Sequence, residues 1–147
     1  PRDAIWWGCV CVSDQLMRPT YESGNENCLR AATEMGRVEL AVKWVVHPTE
    51  QHRRAAQDAI GGRDVATPGD YLALAVSWTG SLAPWRTGLV IPPHPDLYAR
   101  AVTTVIQVAL TRLATSTLFR HCRFLELCLL VADGIWLYDQ PGSHFPF

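Results

Sequence analysis

The sequence predicts an α+β fold in a single domain, a mostly antiparallel sheet with helices packed on one face of a ferredoxin-like core. Three observations lead there. Runs rich in β-branched and aromatic residues recur at 4–13, 38–46, 70–79 and 124–131, each of strand length. In the second of these, Val38, Leu40, Val42, Trp44 and Val46 alternate with Glu39, Ala41 and Lys43, the period of a half-buried strand. Helix signals fall between the runs, so the element order is β-α-β-α-β-β-α-β-β, without internal repeats.

Taken in order, Ala4 to Ser13 reads as a buried strand, and the polar stretch from Asp14 to Gly24 as a loop. Asn25 to Gly36 reads as a short helix, capped by Ser23 or Asn25 and closed by Gly36, with Arg30 and Glu34 paired on its outer face. After the strand at 38–46, Pro48 opens a surface helix that Gly61-Gly62 stops. A loop through Pro68-Gly69 leads to a strand at Asp70–Thr79, and Gly80 to Gly88 forms an exposed connection holding Pro84 and Trp85. Leu89–Ile91 is a short strand ended by Pro92-Pro93 and Pro95. The longest helix runs from Pro95-Asp96 to about Thr117, with Tyr98, Val102, Val105, Ile106, Ala109, Leu110 and Leu113 on one stripe. A strand at Phe124–Val131, a turn at Ala132-Asp133-Gly134 and a return strand at Ile135–Tyr138 complete the sheet as a hairpin.

The chain has 147 residues, the size of one domain, and its start at Pro1 suggests a piece excised from a longer protein. Its net charge of −1 provides no field to steer a polyanion. Charged residues make up only 18%, so the expectation is that a partner or a second copy covers part of the apolar surface. Lys43 is the single lysine among 13 basic residues. That bias reflects either a GC-rich coding sequence or selection for the bidentate carboxylate and phosphate contacts that guanidinium makes. Five cysteines, Cys9, Cys11, Cys28, Cys122 and Cys128, lie mostly within apolar runs, lack zinc-knuckle spacing and do not form an even disulfide set. No segment reads as a signal peptide or a membrane span, and the expected setting is a reducing one inside the cell, cytoplasm or nucleus.

Chemistry-bearing motifs are sparse. Gly61-Gly62 follows a helix and not a strand, so it is not a phosphate loop. Cys28, near a helix start, is the candidate nucleophile of a small cysteine-dependent enzyme, with His47, His94 or His121 as base and Glu26 or Asn27 as orienter. Glu126 is the one acid inside a buried-looking run and is expected to face solvent or an interface. No catalytic, cofactor or metal site is assigned. Arg112, Arg120 and Arg123, with His121 between them, form the densest basic cluster, and Arg30 and Arg37 lie on the first predicted helix. These five arginines are the candidate nucleic-acid contacts, with Trp85 able to stack on a base. Six tryptophans supply large rigid contact area. Trp85, Trp136, Leu137 and Tyr138 are therefore the candidate partner-binding residues, on an apolar, Trp-rich sheet surface.

A strand, a capped helix ending at Met35-Gly36, a strand ending at Val46-His47-Pro48, a strand at Tyr71–Trp78, a long helix and a last strand form an order that resembles the DNA-binding domains of herpesvirus genome-maintenance proteins. Asp133-Gly134-Ile135 followed by Pro141 and Phe145-Pro146 is similar in style. The likeness spans most of the chain, rests on element order and shares no motif. It implies a dimer whose sheets join into a barrel and whose first helix reads DNA, and no site residue is carried over from it. The leading expectation is a non-enzymatic interaction or regulatory domain that forms a homodimer or binds a protein partner. A dimeric nucleic-acid-binding domain and a small cysteine enzyme are the alternatives.

Overall fold

Where the first strand is expected, the chain forms a fifteen-residue helix, α1 (Arg2–Leu16). The computed structural model describes residues 1–16, 25–62, 64–82, 90–111 and 117–135, with the side chains of 25–30 and 117 outside that description. Five more helices follow: α2 (Asn25–Val46), α3 (Glu50–Ile60), α4 (Pro68–Ser77), α5 (Leu97–Thr111) and α6 (Thr117–Ala132). Among the described residues there is no strand, so the α+β class, the ferredoxin-like core and the sheet are all overturned. The likeness to the herpesvirus DNA-binding domains falls with them, since it rested on the order of strands and helices.

The reason is clearest in α1. It packs against α2, α4, α5 and α6 at once. Ile5, Trp6, Cys9, Val10, Cys11 and Val12 are all buried, so no side of its middle is left for polar residues. A helix apolar all round has no 3.6-residue stripe to reveal it, and a short apolar run then looks like a strand. The β-branched Ile5, Val10 and Val12 each disfavour a helix by at most about 0.7 kcal/mol. Burying each contributes about 1.5–3 kcal/mol, so tertiary packing prevails over local preference. At Gly8 a Cβ would lie 2.8 Å from Leu72 Cδ2, so the missing side chain lets α1 and α4 approach closely.

The alternating segment at 38–46 belongs to α2. Its buried positions Val38, Ala41, Val42, Trp44 and Val45 fall on one broad face of a helix. Gly36 lies within α2 and does not end it. Lys43 and Glu39, read as strand neighbours, form an i,i+4 ion pair of 2.7 Å on the outer face.

The next expected strand is α4, and the loop expected at Pro68-Gly69 is its first turn. Thr67 accepts from the Asp70 N–H at 3.1 Å, and Asp70 Oδ2 accepts from the Thr67 N–H at 2.9 Å. That reciprocal box starts a helix, with Pro68 in the first-turn position where its missing N–H costs nothing. Asp70 also ion-pairs with Arg37 of α2 at 2.7 Å, and Glu34 Oε1 accepts from the Gly69 N–H at 3.3 Å. The start of α4 is thereby fastened to α2 through the buried Glu34 and Asp70 and the partly buried Arg37. The helix expected after Pro48 is present as α3, capped by Thr49. The long helix expected from Pro95 corresponds to α5, and its buried stripe is Ala101, Val102, Val105 and Ala109.

Three arginines close helix ends. Arg2 Nε donates to Val45 O at 2.6 Å, Arg53 Nη1 to Ser77 O at 2.8 Å, and Arg120 Nη1 to Leu110 O at 3.2 Å. Val45, Ser77 and Leu110 lie in the last turns of α2, α4 and α5, whose carbonyls have no partner within the helix. A cation there also meets the negative end of the helix dipole. Arg53 additionally grips Glu50 with two 2.7 Å bonds, a fork that lysine cannot reproduce.

Candidate interaction surface

The segment expected to be the edge strand Phe124–Val131 is most of α6, and its chemistry follows from that change of period. Arg120, Phe124, Leu127 and Val131, spaced four, three and four, are buried against the domain. α6 touches α1 and α5. Trp7 Nε1 of α1 donates to Phe124 O at 2.8 Å, and Arg120 reaches the end of α5, so two side chains fix the position of the helix. At its C-terminus Gly134 has φ +75°. The Gly134 N–H donates to Val131 O at 3.1 Å and the Ile135 N–H to Leu130 O at 2.9 Å. This is the Schellman pairing, which requires a left-handed residue and so favours glycine at 134. The turn expected at Ala132-Asp133-Gly134 therefore ends a helix and does not join two strands.

Leu118, Cys122, Leu125 and Leu129 repeat the same four, three, four spacing on the opposite side of α6. Leu118 is 74% exposed, Leu125 59% and Leu129 65%, and Phe119 beside them is 64% exposed. Cys122 is exposed as well. α6 thus carries two apolar stripes, one seated on the domain and one facing outward. Arg123 lies between the stripes on one flank, 3.6 Å from Asp14 and 3.4 Å from Glu126. Glu126 is exposed, as expected, although on a helix.

Phe124–Val131, the first strand of the expected terminal hairpin, is helical, so the expected sheet face is absent among the described residues. Trp136, Leu137 and Tyr138 lie outside the described residues, as do Trp85 and Arg112. Arg30 and Cys28 lie in α2 with side chains outside that description. Of the other candidate nucleic-acid contacts, Arg37 pairs with Asp70, with side chains 14% and 8% exposed. Arg120 is buried at the end of α5 and Arg123 is half-buried beside its two acids. These three come from two places in the fold, Arg37 on the α2–α4 contact and Arg120 and Arg123 on α6.

The described thiols divide sharply. Burial pushes the pKa values of Cys9 and Cys11 far above an ordinary thiol's, which keeps both protonated and unreactive. Among the described residues no cluster of three histidine, cysteine or acidic side chains could hold a metal ion, and no helix is long and apolar enough to cross a membrane. The strand expected at 124–131 hides the outward stripe, because a period of two splits its residues between opposite faces. The signal that finds it is the heptad spacing from Leu118 to Leu129, which starts before the run taken as a strand.

Comparison with curated proteins and with solved structures returns no match. One family model, described as a family of unknown function, matches residues 1–132, from the start of the chain through the last residue of α6. On that match the chain belongs to the DUF6931 family.

Proposed function

We propose that this chain is a non-enzymatic interaction or regulatory domain that docks a protein through the outward stripe of α6. The supporting observation is the exposure of Leu118, Phe119, Leu125 and Leu129 together on a helix whose opposite side is already packed. Solitary exposed leucines are ordinary, but contiguous apolar side chains at heptad spacing are what a partner helix buries. Covering each of the four contributes about 1–2 kcal/mol, scaled from the value for a fully buried side chain by its exposed fraction. The low charged fraction of the chain agrees with a covered surface.

The test is a triple variant, Leu118→Ser, Leu125→Ser and Leu129→Ser. Because these side chains point away from the domain, its helical circular dichroism should persist and its Tm should shift by only a few degrees, while association and hydrophobic-dye binding are lost. A fall in Tm of more than roughly 10 °C, well beyond what about 1 kcal/mol produces in a domain of this size, would show that the stripe is part of the domain's own core.

A further inference from the structure

We infer that the protein seated on the outward stripe is a second copy of this chain, with the two α6 helices antiparallel about a two-fold axis. This inference rests on the docking role proposed for the stripe. The stripe is its own complement. Its four positions are symmetric about the point between Arg123 and Phe124, so a two-fold there sets Leu118 against Leu129 and Cys122 against Leu125 of the other copy. The small Cys122 faces the larger Leu125 in both central layers, which lets the helices approach evenly. The a/d spacing of the four residues suits the shallow crossing of helices packed knobs into holes. A surface that meets itself in this way forms a closed, isologous dimer and cannot propagate into a fibre.

Area favours a weak dimer. The stripe and Phe119 present roughly 400 Å² of apolar surface, the size of the largest patch on an ordinary monomer. A two-fold counts that patch twice and adds a rim containing His121, Arg123 and Glu126. The total of roughly 1,000–1,200 Å² lies at the lower edge of specific interfaces. The rim carries charge of both signs on each copy, so the symmetric contact does not force like charges alone together.

Sedimentation equilibrium on the full chain, with covalent trapping, tests the pairing. At micromolar concentration the wild-type chain should show a mass rising toward twice that of the monomer. Leu125→Asp should raise the dimer dissociation constant at least about 30-fold, the size of an interface hot spot, without loss of helical circular dichroism. In a background with Cys28→Ser and Cys128→Ser, mild oxidation should link two copies of Leu125→Cys through Cys122 and leave the parent unlinked, because a disulfide needs Cα atoms within about 7 Å. Linkage of the parent through Cys122 alone would mean parallel helices and overturn the pairing. A wild-type monomer at high concentration that still binds hydrophobic dye would overturn the second copy as occupant while leaving a different protein partner for the stripe. A monomer that dimerises only after Trp136→Ser, Leu137→Ser and Tyr138→Ser would assign the stripe to residues 136–147 of the same chain, and would also overturn it.

Discussion

Asp70→Ala should be among the most damaging single substitutions in the domain, because one carboxylate performs two tasks. Its Oδ2 accepts from the N–H groups of Ala66 and Thr67, at 3.1 and 2.9 Å, and its Oδ1 lies 2.7 Å from Arg37 Nη1. Losing the capping interaction costs about 1 kcal/mol. Leaving a buried cation without its partner costs about 3–5 kcal/mol, and the 14% exposure of Arg37 places this case at the lower end. The sum is about 4 kcal/mol, against a total stability of about 5–15 kcal/mol for a typical domain. Asp70→Asn keeps an oxygen for the two N–H groups and loses the charge, so it should cost about 2 kcal/mol. Urea unfolding followed by circular dichroism measures both. Adding Arg37→Met to Asp70→Ala removes the orphaned guanidinium, so the double variant should be no less stable than Asp70→Ala alone, with a coupling of about 2 kcal/mol. A cost for Asp70→Ala below about 1 kcal/mol, or strict additivity in the double variant, would refute the reasoning that this network fastens α4 to α2.

Two further outcomes follow from the charges and thiols. The pKa of Glu50 is lowered from 4.5 to about 2, chiefly by its hydrogen bonds from Arg53. Its folded pKa lies below the unfolded value, so its contribution is present above pH 4.5 and lost as pH falls toward about 2. Glu50→Gln should therefore flatten the acid limb of the stability curve across that window, modestly because the side chain is half exposed, and an unchanged limb would count against the Arg53 fork. Thiol labelling of the native protein should modify Cys122 rapidly in the dilute monomer and more slowly where the dimer forms, and should spare Cys9 and Cys11 until the chain unfolds, read by mass spectrometry of peptides. Rapid native labelling of Cys9 or Cys11 would mean that α1 is not the central helix.

Legibility in the sequence followed solvent. α3 and α5 each have a wet side, so their apolar stripes, the Pro48 start and the Gly61-Gly62 stop were readable from residue pattern alone. α1 and α4 are buried on nearly all sides, and nothing in their composition distinguishes a surrounded helix from a sheet-core strand. One local signal did distinguish α4: Thr67-Pro68-Gly69-Asp70 before an apolar run spells a capping box, yet Pro-Gly read as a turn overrode it. In α2 the alternation of Val38 to Val46 was an accident of composition, and the helical set Val38, Val42 and Val45 was also in register. α6 misled for a different reason. Two apolar stripes on opposite sides of one helix leave Glu126 as the only polar residue from Phe124 to Ala132, which conceals a 3.6-residue period. The expectation of a covered apolar surface came from composition, whereas the exposed stripe proposed for it is visible only once 117–132 is helical.

The most direct test of the central claim, that the outward stripe of α6 is a protein-docking surface occupied by a second copy, is amide hydrogen exchange followed as protein concentration is raised. Exchange in α6 should slow with concentration, most strongly between Leu118 and Leu129, while α1 and α4 in the core hold constant protection. Leu125→Asp should abolish that dependence and leave the core unchanged. Exchange in α6 that is the same at every concentration would contradict the account, and so would protection that rises equally across every described helix.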